Sequence, residues 1–270
     1  GEPSSDVDLV LEAPEAEFRD IIKVSRCSAK EFAKAMLSSL RQSLRKQGFR
    51  IVESVLHARV PILKLCYGKL DCDLSCNNLL PLFNTRLLKA YADLDPQAVE
   101  IARAVKEWAK RNGVHGAPWG HLSSYALNLM VIFYMQARGA LPCLQHAAAD
   151  RPVWFQDGSK RYNVAMDLSL LKRAKRRGAV SFPDFCRFFY REFEWGGSVV
   201  SVRTGALKKF AEYPRLERKF RNGIGKEEAK WMLHIEDPLD TTRNLNCVLR
   251  QGHIFQLWEA FETEAGATKK

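Results

Sequence analysis

The 270-residue chain is long enough for one large domain or two smaller ones, and 46% of its residues are hydrophobic and 27% charged, as in ordinary globular proteins. Residues 1–83 hold 12 Lys and Arg against 11 Asp and Glu, whereas the rest hold 30 against 20. A basic surface suits a polyanion such as RNA, DNA or anionic lipid, and a merely solvated basic surface is the alternative.

The seven cysteines are odd in number and form no CxxC pair. They argue against a disulfide framework and for reduced thiols in an intracellular compartment. The most apolar stretch, residues 122–135, is interrupted by Ser123, Ser124 and Asn128. It is too short and too polar to span a bilayer, so we interpret it as a buried helix and expect no membrane among the partners.

Residues 4–11 place two carboxylates in an apolar run, which predicts a strand at the start of the chain. Because strand side chains alternate between faces, Asp6 and Asp8 point the same way. Like charges side by side on a sheet repel each other, so a cation should hold them. A pair of divalent metal ions is the natural candidate.

A second acidic stretch, residues 70–75, alternates in the same way and offers Asp71 and Asp73. Two strands that present three carboxylates to one point would form a site for in-line attack on a phosphate. Between them, Ser28 and Glu31 have the spacing of a capping box, which predicts a helix. Two further strands make this part βαβ-like with a hairpin, a small mixed sheet with its acids on one face.

Asp95 as N-cap and Pro96 at the first helical position predict the next helix. Lys106 and Lys110 are four residues apart, so they stack at one edge of it. They are interpreted either as a solvated pair or as a clamp for a triphosphate.

The following helix, over residues 122–135, carries Ser124 and Tyr125 in its first turn, where hydroxyls and free backbone N–H groups suit an anion. Residues 171–178 are the densest basic run. This run is a solvated surface, a localisation-type patch or a nucleic-acid contact. The succession of helices from residue 84 onward predicts a mainly helical second domain.

Seven short stretches resemble the noncanonical poly(A) polymerases and terminal uridylyltransferases of the DNA polymerase β superfamily. Each stretch is a weak signal alone, but the seven occur in the family's order along nearly the whole chain, at residues 3–8, 58–62, 71–75, 84–88, 105–110, 122–127 and 235–238. The compact layout is most similar to the small trypanosomatid RNA uridylyltransferases.

The resemblance implies an α+β fold in two domains. Residues 1–83 would be a polymerase-β-type mixed-sheet catalytic domain, and residues 84–270 a larger, mainly helical base-recognition domain of the poly(A) polymerase-associated type. The active-site cleft would lie between them. We expect the catalytic domain to lack its N-terminal part in this sequence, because the Gly-Ser that precedes the first aspartates in the family is missing.

The resemblance also implies the site residues. The catalytic and metal-binding carboxylates would be Asp6, Asp8 and Asp73, holding two Mg²⁺ ions, with Mn²⁺ as a substitute. Spacing leaves Asp71 and Asp73 equivalent, and the family pattern selects Asp73. Arg59 would contact RNA, or else form an ion pair with a neighbouring acid. The implied nucleotide-binding residues are Ser5, Asn84, Thr85, Lys106, Lys110, Ser124, Tyr125, Asp237 and Asp240.

Within that set the implied roles differ. The two lysines and Ser124 would hold the triphosphate, whereas Asn84 and Thr85 would contact the ribose and base. Tyr125 would stack on the base, although its position in the sequence also suits a core aromatic. Asp237 and Asp240 would read the uracil edge, often through water.

The implied reaction is template-independent transfer of UMP from UTP to an RNA 3′-hydroxyl, by a two-metal-ion mechanism that releases pyrophosphate. The implied partners are UTP, a single-stranded RNA 3′ end and an RNA-processing protein complex. The implied location is mitochondrial if the trypanosomatid resemblance holds, and otherwise cytoplasmic.

Two rival functions remain, a noncanonical poly(A) polymerase that uses ATP and a catalytically inactive RNA-binding scaffold. Two positions weaken the choice of UTP without affecting the reaction class. Position 240 is Asp where many relatives have Glu, and position 243 is Arg where several uridine-selective relatives have His.

Overall fold

The computed structural model describes residues 7–12, 28–58, 60–172, 180–217, 231–250 and 252–267. Three of the predicted site residues, Ser5, Asp6 and Arg59, lie outside these ranges. The chain divides into two compact units, Gly1–Phe83 and Asn84–Lys270.

A mixed sheet forms the centre of the first unit, with its strands in the order β1-β4-β3-β2. Strand β1 runs parallel to β4, whereas β3 is antiparallel to both β2 and β4. The prediction of a small mixed sheet is therefore confirmed. The strands and the helix of this unit are β1 Val7–Leu11, α1 Ala29–Lys46, β2 Arg50–Val55, β3 Ile62–Tyr67 and β4 Leu70–Cys76.

Helix α1 begins with the predicted capping box. The Ser28 hydroxyl accepts a hydrogen bond from the Glu31 backbone N–H at 3.2 Å, and the Glu31 carboxylate accepts one from the Ser28 N–H at 2.7 Å. The helix buries Phe32 and Leu37 in one cluster with Leu63 of β3. This packing covers one face of the sheet. Because strand side chains alternate between the two faces, the acids of β1 and β4 point to the opposite face.

The second unit is mainly helical, as predicted, but it also contains short strands. Strands β5 and β6 form an antiparallel hairpin, and β7 lies between β8 and β9 in a second small sheet. Helix α2 begins just before the boundary between the units. The elements are α2 Leu80–Leu94, α3 Pro96–Arg111, α4 Ser124–Ala137, β5 Trp154–Asp157, β6 Lys160–Asn163, α5 Phe182–Arg187, β7 Ser198–Val200, β8 Lys208–Lys209, β9 His234–Ile235 and α6 His253–Ala267.

Short helical turns join these elements, one of them a π-helical turn that continues α5. They lie at Ala117–Trp119, His146–Ala148, Leu168–Lys172, Phe188–Glu192, Phe210–Glu212 and Leu245–Val248.

Helix α4 lies in the middle of the core of the second unit, and ten of its 14 residues are buried. Around it, Trp108 of α3 contacts Phe261 of α6 with ring centroids 4.7 Å apart, and Phe185 of α5 contacts Phe189 at 5.0 Å. The apolar stretch predicted to be a buried helix is thus confirmed as one. In the described part of the chain, every helix falls short of the length and apolarity needed to cross a membrane.

One buried phenol joins three parts of this core. Tyr91 is 0% exposed, and its hydroxyl accepts hydrogen bonds from Gln136 Nε2 at 2.9 Å and from the Leu144 N–H at 3.2 Å. Burial raises the pKa of Tyr91, so the hydroxyl stays protonated. It therefore ties α2 to α4 and to the loop that follows α4.

Replacing Tyr91 with Phe should leave the Leu144 N–H without its acceptor, whereas Gln136 Nε2 still donates to the Val202 carbonyl at 3.0 Å. We expect Tyr91→Phe to lower the free energy of unfolding by about 1–3 kcal/mol, the cost of an unsatisfied buried polar group. Urea denaturation followed by circular dichroism measures it.

Tyr190→Phe is the matched control, because the Tyr190 hydroxyl donates to Glu262 at an exposed position where water can replace the bond. Little change is expected there. A Tyr91→Phe variant as stable as this control would contradict the role of the buried hydroxyl.

Candidate active site

The acidic residues of the first unit meet across β1 and β4. Asp8 of β1 lies directly beside Asp73 of β4 in the parallel register. Residues abreast on neighbouring strands point to the same face, and the strands are about 4.8 Å apart. Asp8 is exposed and Asp73 is half-buried. The fold therefore holds two carboxylates side by side, although their charges repel each other.

A row of charged residues continues across this face of the sheet. Asp73 is paired with Lys64 of β3, and Lys64 is paired with Glu53 of β2. The Lys64 ammonium lies 3.3 Å from a Glu53 carboxylate oxygen, so this cation is shared with the β2 side of the row. At the β1 end of the row, Asp8 and Asp73 form a pair of adjacent carboxylates, which a bound cation would stabilise.

The strand register distinguishes two residues that spacing left equivalent. Asp73 is level with Asp8, whereas Asp71 lies two residues earlier on β4, opposite Cys66 of β3. Within the described ranges, no group of three or more His, Cys, Asp or Glu is arranged to hold a metal ion. The third predicted ligand, Asp6, lies outside those ranges.

Two predicted nucleotide-binding residues are in direct contact within the second unit. The Tyr125 hydroxyl, in the first turn of α4, donates to Asn84 Oδ1 of α2 at 2.9 Å. Burial, and then the negative charge of Asp237, raise the pKa of Tyr125, while Arg243 partly opposes this. Asn84, Tyr125 and Asp237 are therefore brought together from three distant segments.

Tyr125 also packs against the core of the second unit while remaining partly exposed. Both interpretations of its position agree with this arrangement, since one part of the ring is packed and another part stays accessible. The hydrogen bond to Asn84 fixes the direction of the phenol.

The two acids predicted to read the base edge differ in their environments. Asp237 is 1% exposed, and its Oδ1 accepts hydrogen bonds from the backbone N–H groups of Leu239 at 3.0 Å and Asp240 at 3.1 Å. Its Oδ2 lies 3.5 Å from Arg243 Nη1. Burial nevertheless raises the pKa of Asp237 above its usual value.

Asp240 is more accessible than Asp237 and forms an ion pair with Lys160. Its Oδ2 accepts a hydrogen bond from Lys160 Nζ at 3.1 Å, and its Oδ1 accepts one from the Thr242 hydroxyl at 2.6 Å. Burial acts to raise the pKa of Asp240, but these hydrogen bonds outweigh burial and hold the pKa below its usual value. Asp240 is therefore ionised at neutral pH.

The predicted triphosphate ligands lie on α3 and α4. Ser123 caps α4 by accepting from the Ala126 N–H at 3.2 Å, and the Ser124 hydroxyl lies 2.9 Å from His115 Nε2. Lys106 is half-buried and Lys110 is exposed, one turn apart on α3, and Thr85 is exposed on α2.

Sequence analysis missed two side chains of this region. Lys160 is paired with Asp240 although 80 positions separate them, and His115 contacts Ser124 across a loop. Lys160 follows a short turn at the tip of the β5–β6 hairpin, and no periodic pattern marks it as the partner of a distant acid. Arg243 was noted as a departure from the family, but its pairing with Asp237 was not predicted.

Comparison with known proteins identifies the family. Residues 1–93 match the model for the central palm domain of poly(A) RNA polymerase, mitochondrial-like. Poly(A) RNA polymerase GLD2 of Danio rerio is 30% identical over 211 residues, and terminal uridylyltransferase 7 of Homo sapiens is 29% identical over 239 residues. The chain belongs to the family of noncanonical poly(A) polymerases and terminal uridylyltransferases.

The aligned regions cover 75% and 83% of this family member but only 41% and 15% of those two relatives. The chain thus spans less than half the length of the curated relatives it matches. Similarity to the trypanosomatid enzymes is not tested by these matches and stays a prediction.

Solved structures confirm the expected fold. The Cid1 poly(U) polymerase with bound Mg and 3′-dATP superposes with a TM-score of 0.74 at 22% identity, over 99% of this chain and 77% of that one. Cid1 in complex with its short product ApU gives a TM-score of 0.74 at 23% identity, over 99% and 77%. The family member described here therefore has this nucleotidyltransferase fold, with mixed sheets and a large helical part.

The opposite pKa shifts of the two acids give a testable pH dependence. Because the folded chain raises the pKa of Asp237, its contribution to stability is present below the unfolded value of about 3.9 and is lost as the pH rises through the raised value. Asp237→Asn keeps an acceptor for the backbone and does not titrate. We expect its free energy of unfolding, relative to the unchanged chain, to increase as the pH rises above about 4.

Asp240→Asn is the control with the opposite sign, because the folded pKa of Asp240 is lowered. Its relative stability should fall as the pH rises through the acid range toward about 4. Urea denaturation of both variants at a series of pH values measures the two slopes. A relative stability of Asp237→Asn that falls as the pH rises, as expected for Asp240→Asn, would show that burial does not dominate at Asp237.

Proposed function

We propose that the protein is a template-independent RNA 3′-terminal nucleotidyltransferase that transfers UMP from UTP to an RNA 3′-hydroxyl and releases pyrophosphate. The observation that carries this proposal is the placement of Asp8 beside Asp73 on a sheet of the nucleotidyltransferase fold. The names of the relatives, which are poly(A) polymerases and uridylyltransferases, support the same reaction class.

The carboxylates on β1 and β4 suit divalent magnesium, because their oxygens are hard ligands of the kind that Mg²⁺ prefers. Asp8 and Asp73 would hold it, together with Asp6 by family resemblance. When bound, the metal pair would neutralise the acids, lower the pKa of the RNA 3′-hydroxyl and stabilise the leaving pyrophosphate. The contribution of the protein is to position the reactants and to neutralise the triphosphate with Lys106 and Lys110.

Base binding follows from the contacts in the second unit. Tyr125 would stack on the base, with its hydroxyl held by Asn84. Stacking supplies affinity but little selectivity, because every base has a π-face. Uracil offers an N3–H donor beside the O4 acceptor. The ionised Asp240 would accept from the N–H, and the ammonium of Lys160 would donate to O4.

A second candidate substrate, ATP, is favoured by one observation. Arg243 lies against Asp237, so this part of the site offers both a donor and an acceptor. Adenine presents the complementary pair, an acceptor at N1 and an amino donor. We propose UTP as the preferred substrate, and NTP choice is the measurement that separates the two.

The proposed acceptor is the 3′ end of a single-stranded RNA. The excess of basic over acidic side chains after residue 83, 30 against 20, supports a polyanionic partner.

Extension of a labelled single-stranded RNA by the full-length protein, with each of the four NTPs and Mg²⁺, tests the reaction. Extension with UTP is expected. Asp73→Asn should slow it on the order of 10²-fold or more, because the metal site then has one carboxylate fewer. Asp71→Asn, which removes the neighbouring acid of the same strand, should retain most of the activity.

Each outcome has a distinct meaning. Preference for ATP would select the second candidate. RNA binding without extension by any NTP would favour the inactive scaffold. Equal losses in the Asp71 and Asp73 variants would contradict the assignment made from the strand register.

Removal of the proposed stacking ring gives a further prediction. Tyr125→Ala should raise the KM for UTP by about 5–150-fold, which corresponds to 1–3 kcal/mol of stacking. Tyr125→Phe keeps the ring and should stay within a few-fold of the unchanged enzyme. Steady-state kinetics measures both, and if the Phe variant is as impaired as the Ala variant, the hydroxyl and not the ring is what matters.

A further inference from the structure

A cavity of about 500 Å³ lies within the second unit, lined by none of the residues assigned above to the nucleotide. This volume is typical of small-molecule sites. Part of its wall is Pro238 and Leu239, which lie within residues 237–240, the recognition segment that contains Asp237 and Asp240. Another part is the β5–β6 hairpin, with Trp154 and Arg161.

The cavity is basic. Arg161, Arg203 and Arg215 line it together with Glu212 and Glu236. The buried Glu236 is neutralised by Arg203 at 2.8 Å, and Glu212 lies 3.6 Å from Lys208 outside the cavity wall. Neither Arg161 nor Arg215 forms an ion pair with an acid in the described part of the chain. Two exposed guanidinium groups are therefore available to an anion.

Two buried polar atoms of the wall have no partner among the described residues. Gln145 is 8% exposed, and its Nε2 donates to the Pro238 carbonyl at 2.8 Å. This bond fixes the orientation of the amide, so that Oε1 is the acceptor left unsatisfied. Arg203 Nε is likewise buried and unsatisfied. Both atoms are inaccessible to solvent, so the exposed side chains of the wall are the ones that can contact a ligand.

An aromatic ring stands beside the guanidinium groups. Trp154 is 53% exposed, and the Arg161 guanidinium lies 4.7 Å from the centroid of its ring. An exposed tryptophan beside arginines is the combination that holds nucleic-acid bases by stacking and phosphates by charge.

We propose that this cavity binds a nucleoside phosphate unit. Arg161 and Arg215 contact the phosphate, and Trp154 stacks on the base. The source of the unit is the RNA acceptor strand. The choice of RNA as the source rests on the proposed function, whereas the binding of a nucleoside phosphate unit in this cavity does not.

Occupancy of the cavity would also act on the recognition segment. Gln145 lies in the cavity wall and donates to the Pro238 carbonyl, and Pro238 directly follows Asp237. RNA bound here would therefore steady the acid that faces Tyr125, and would place part of the acceptor strand beside base recognition.

Equilibrium binding tests the site without catalysis. Fluorescence anisotropy of a labelled ten-nucleotide single-stranded RNA is measured in EDTA without NTP, and UMP is titrated in a separate arm. The Arg161→Ala/Arg215→Ala double variant should weaken RNA binding by about 10-fold or more. It should also reduce the slope of log K against log salt by about 0.7, the value for the one phosphate that the variant no longer neutralises.

Arg191→Ala is the matched control, because Arg191 is also exposed and also lies over an aromatic ring, that of Tyr190, at 6.0 Å. RNA affinity should stay within about 2-fold in this variant, since one distant surface charge is screened at physiological salt. Trp154→Ala should weaken binding in the same assay, which separates stacking from charge. Circular dichroism checks that each variant is folded.

The two arms identify the source. Loss of RNA affinity in the cavity variants supports the RNA strand. Loss of UMP affinity alone supports a site for free nucleotide and overturns the RNA source. Unchanged binding in both arms, or an equal loss in Arg191→Ala, overturns the cavity site altogether. If the cavity binds RNA but no NTP supports extension, the proposed function fails and the cavity site stands.

Discussion

The parallel pairing of β1 with β4 sets Asp8 and Asp73 about one strand spacing apart. Their carboxylates repel each other, so other interactions of the sheet must offset this repulsion. Strand β4 withstands it because it is hydrogen-bonded on both sides and because alternate residues, Cys72 and Leu74, are buried beneath it. The arrangement is costly without a cation and favourable with one. This explains why a strongly packed sheet, and not a loop, carries the acids.

The recognition segment of the second unit also contains two acids, and hydrogen bonds and nearby cations stabilise them. Asp237 is buried and has a raised pKa, yet two backbone N–H groups and Arg243 hold its carboxylate in one position. Asp240 stays ionised because Lys160 and Thr242 favour its charged form. Each acid therefore has a counter-charge of its own, and the edge that we propose for base recognition mixes donors with acceptors. Base choice in this protein would depend on these pairs as much as on the acids.

Local sequence signals were sufficient for several features. The capping box of Ser28 and Glu31 and the cap at Asp95 form within a few residues, so their chemistry is visible in the sequence. Alternation placed Asp71 and Asp73 on one face but could not choose between them, because register is a property of two strands that lie more than 60 residues apart. The pairing of Lys160 with Asp240 was missed for the same reason.

The sequence by itself determined the family, the helix caps and the buried character of α4, and it supports the reaction class that we propose, since these depend on local periodicity and on motifs that occur in a specific order. Only the tertiary structure decided which aspartate stands beside Asp8, which cations accompany Asp237 and Asp240, and that Gln145 lines a basic cavity. Each of these results depends on contacts between segments that are far apart in the chain. Such contacts are selected by packing and hydrogen bonding in the folded state, and no local pattern encodes them.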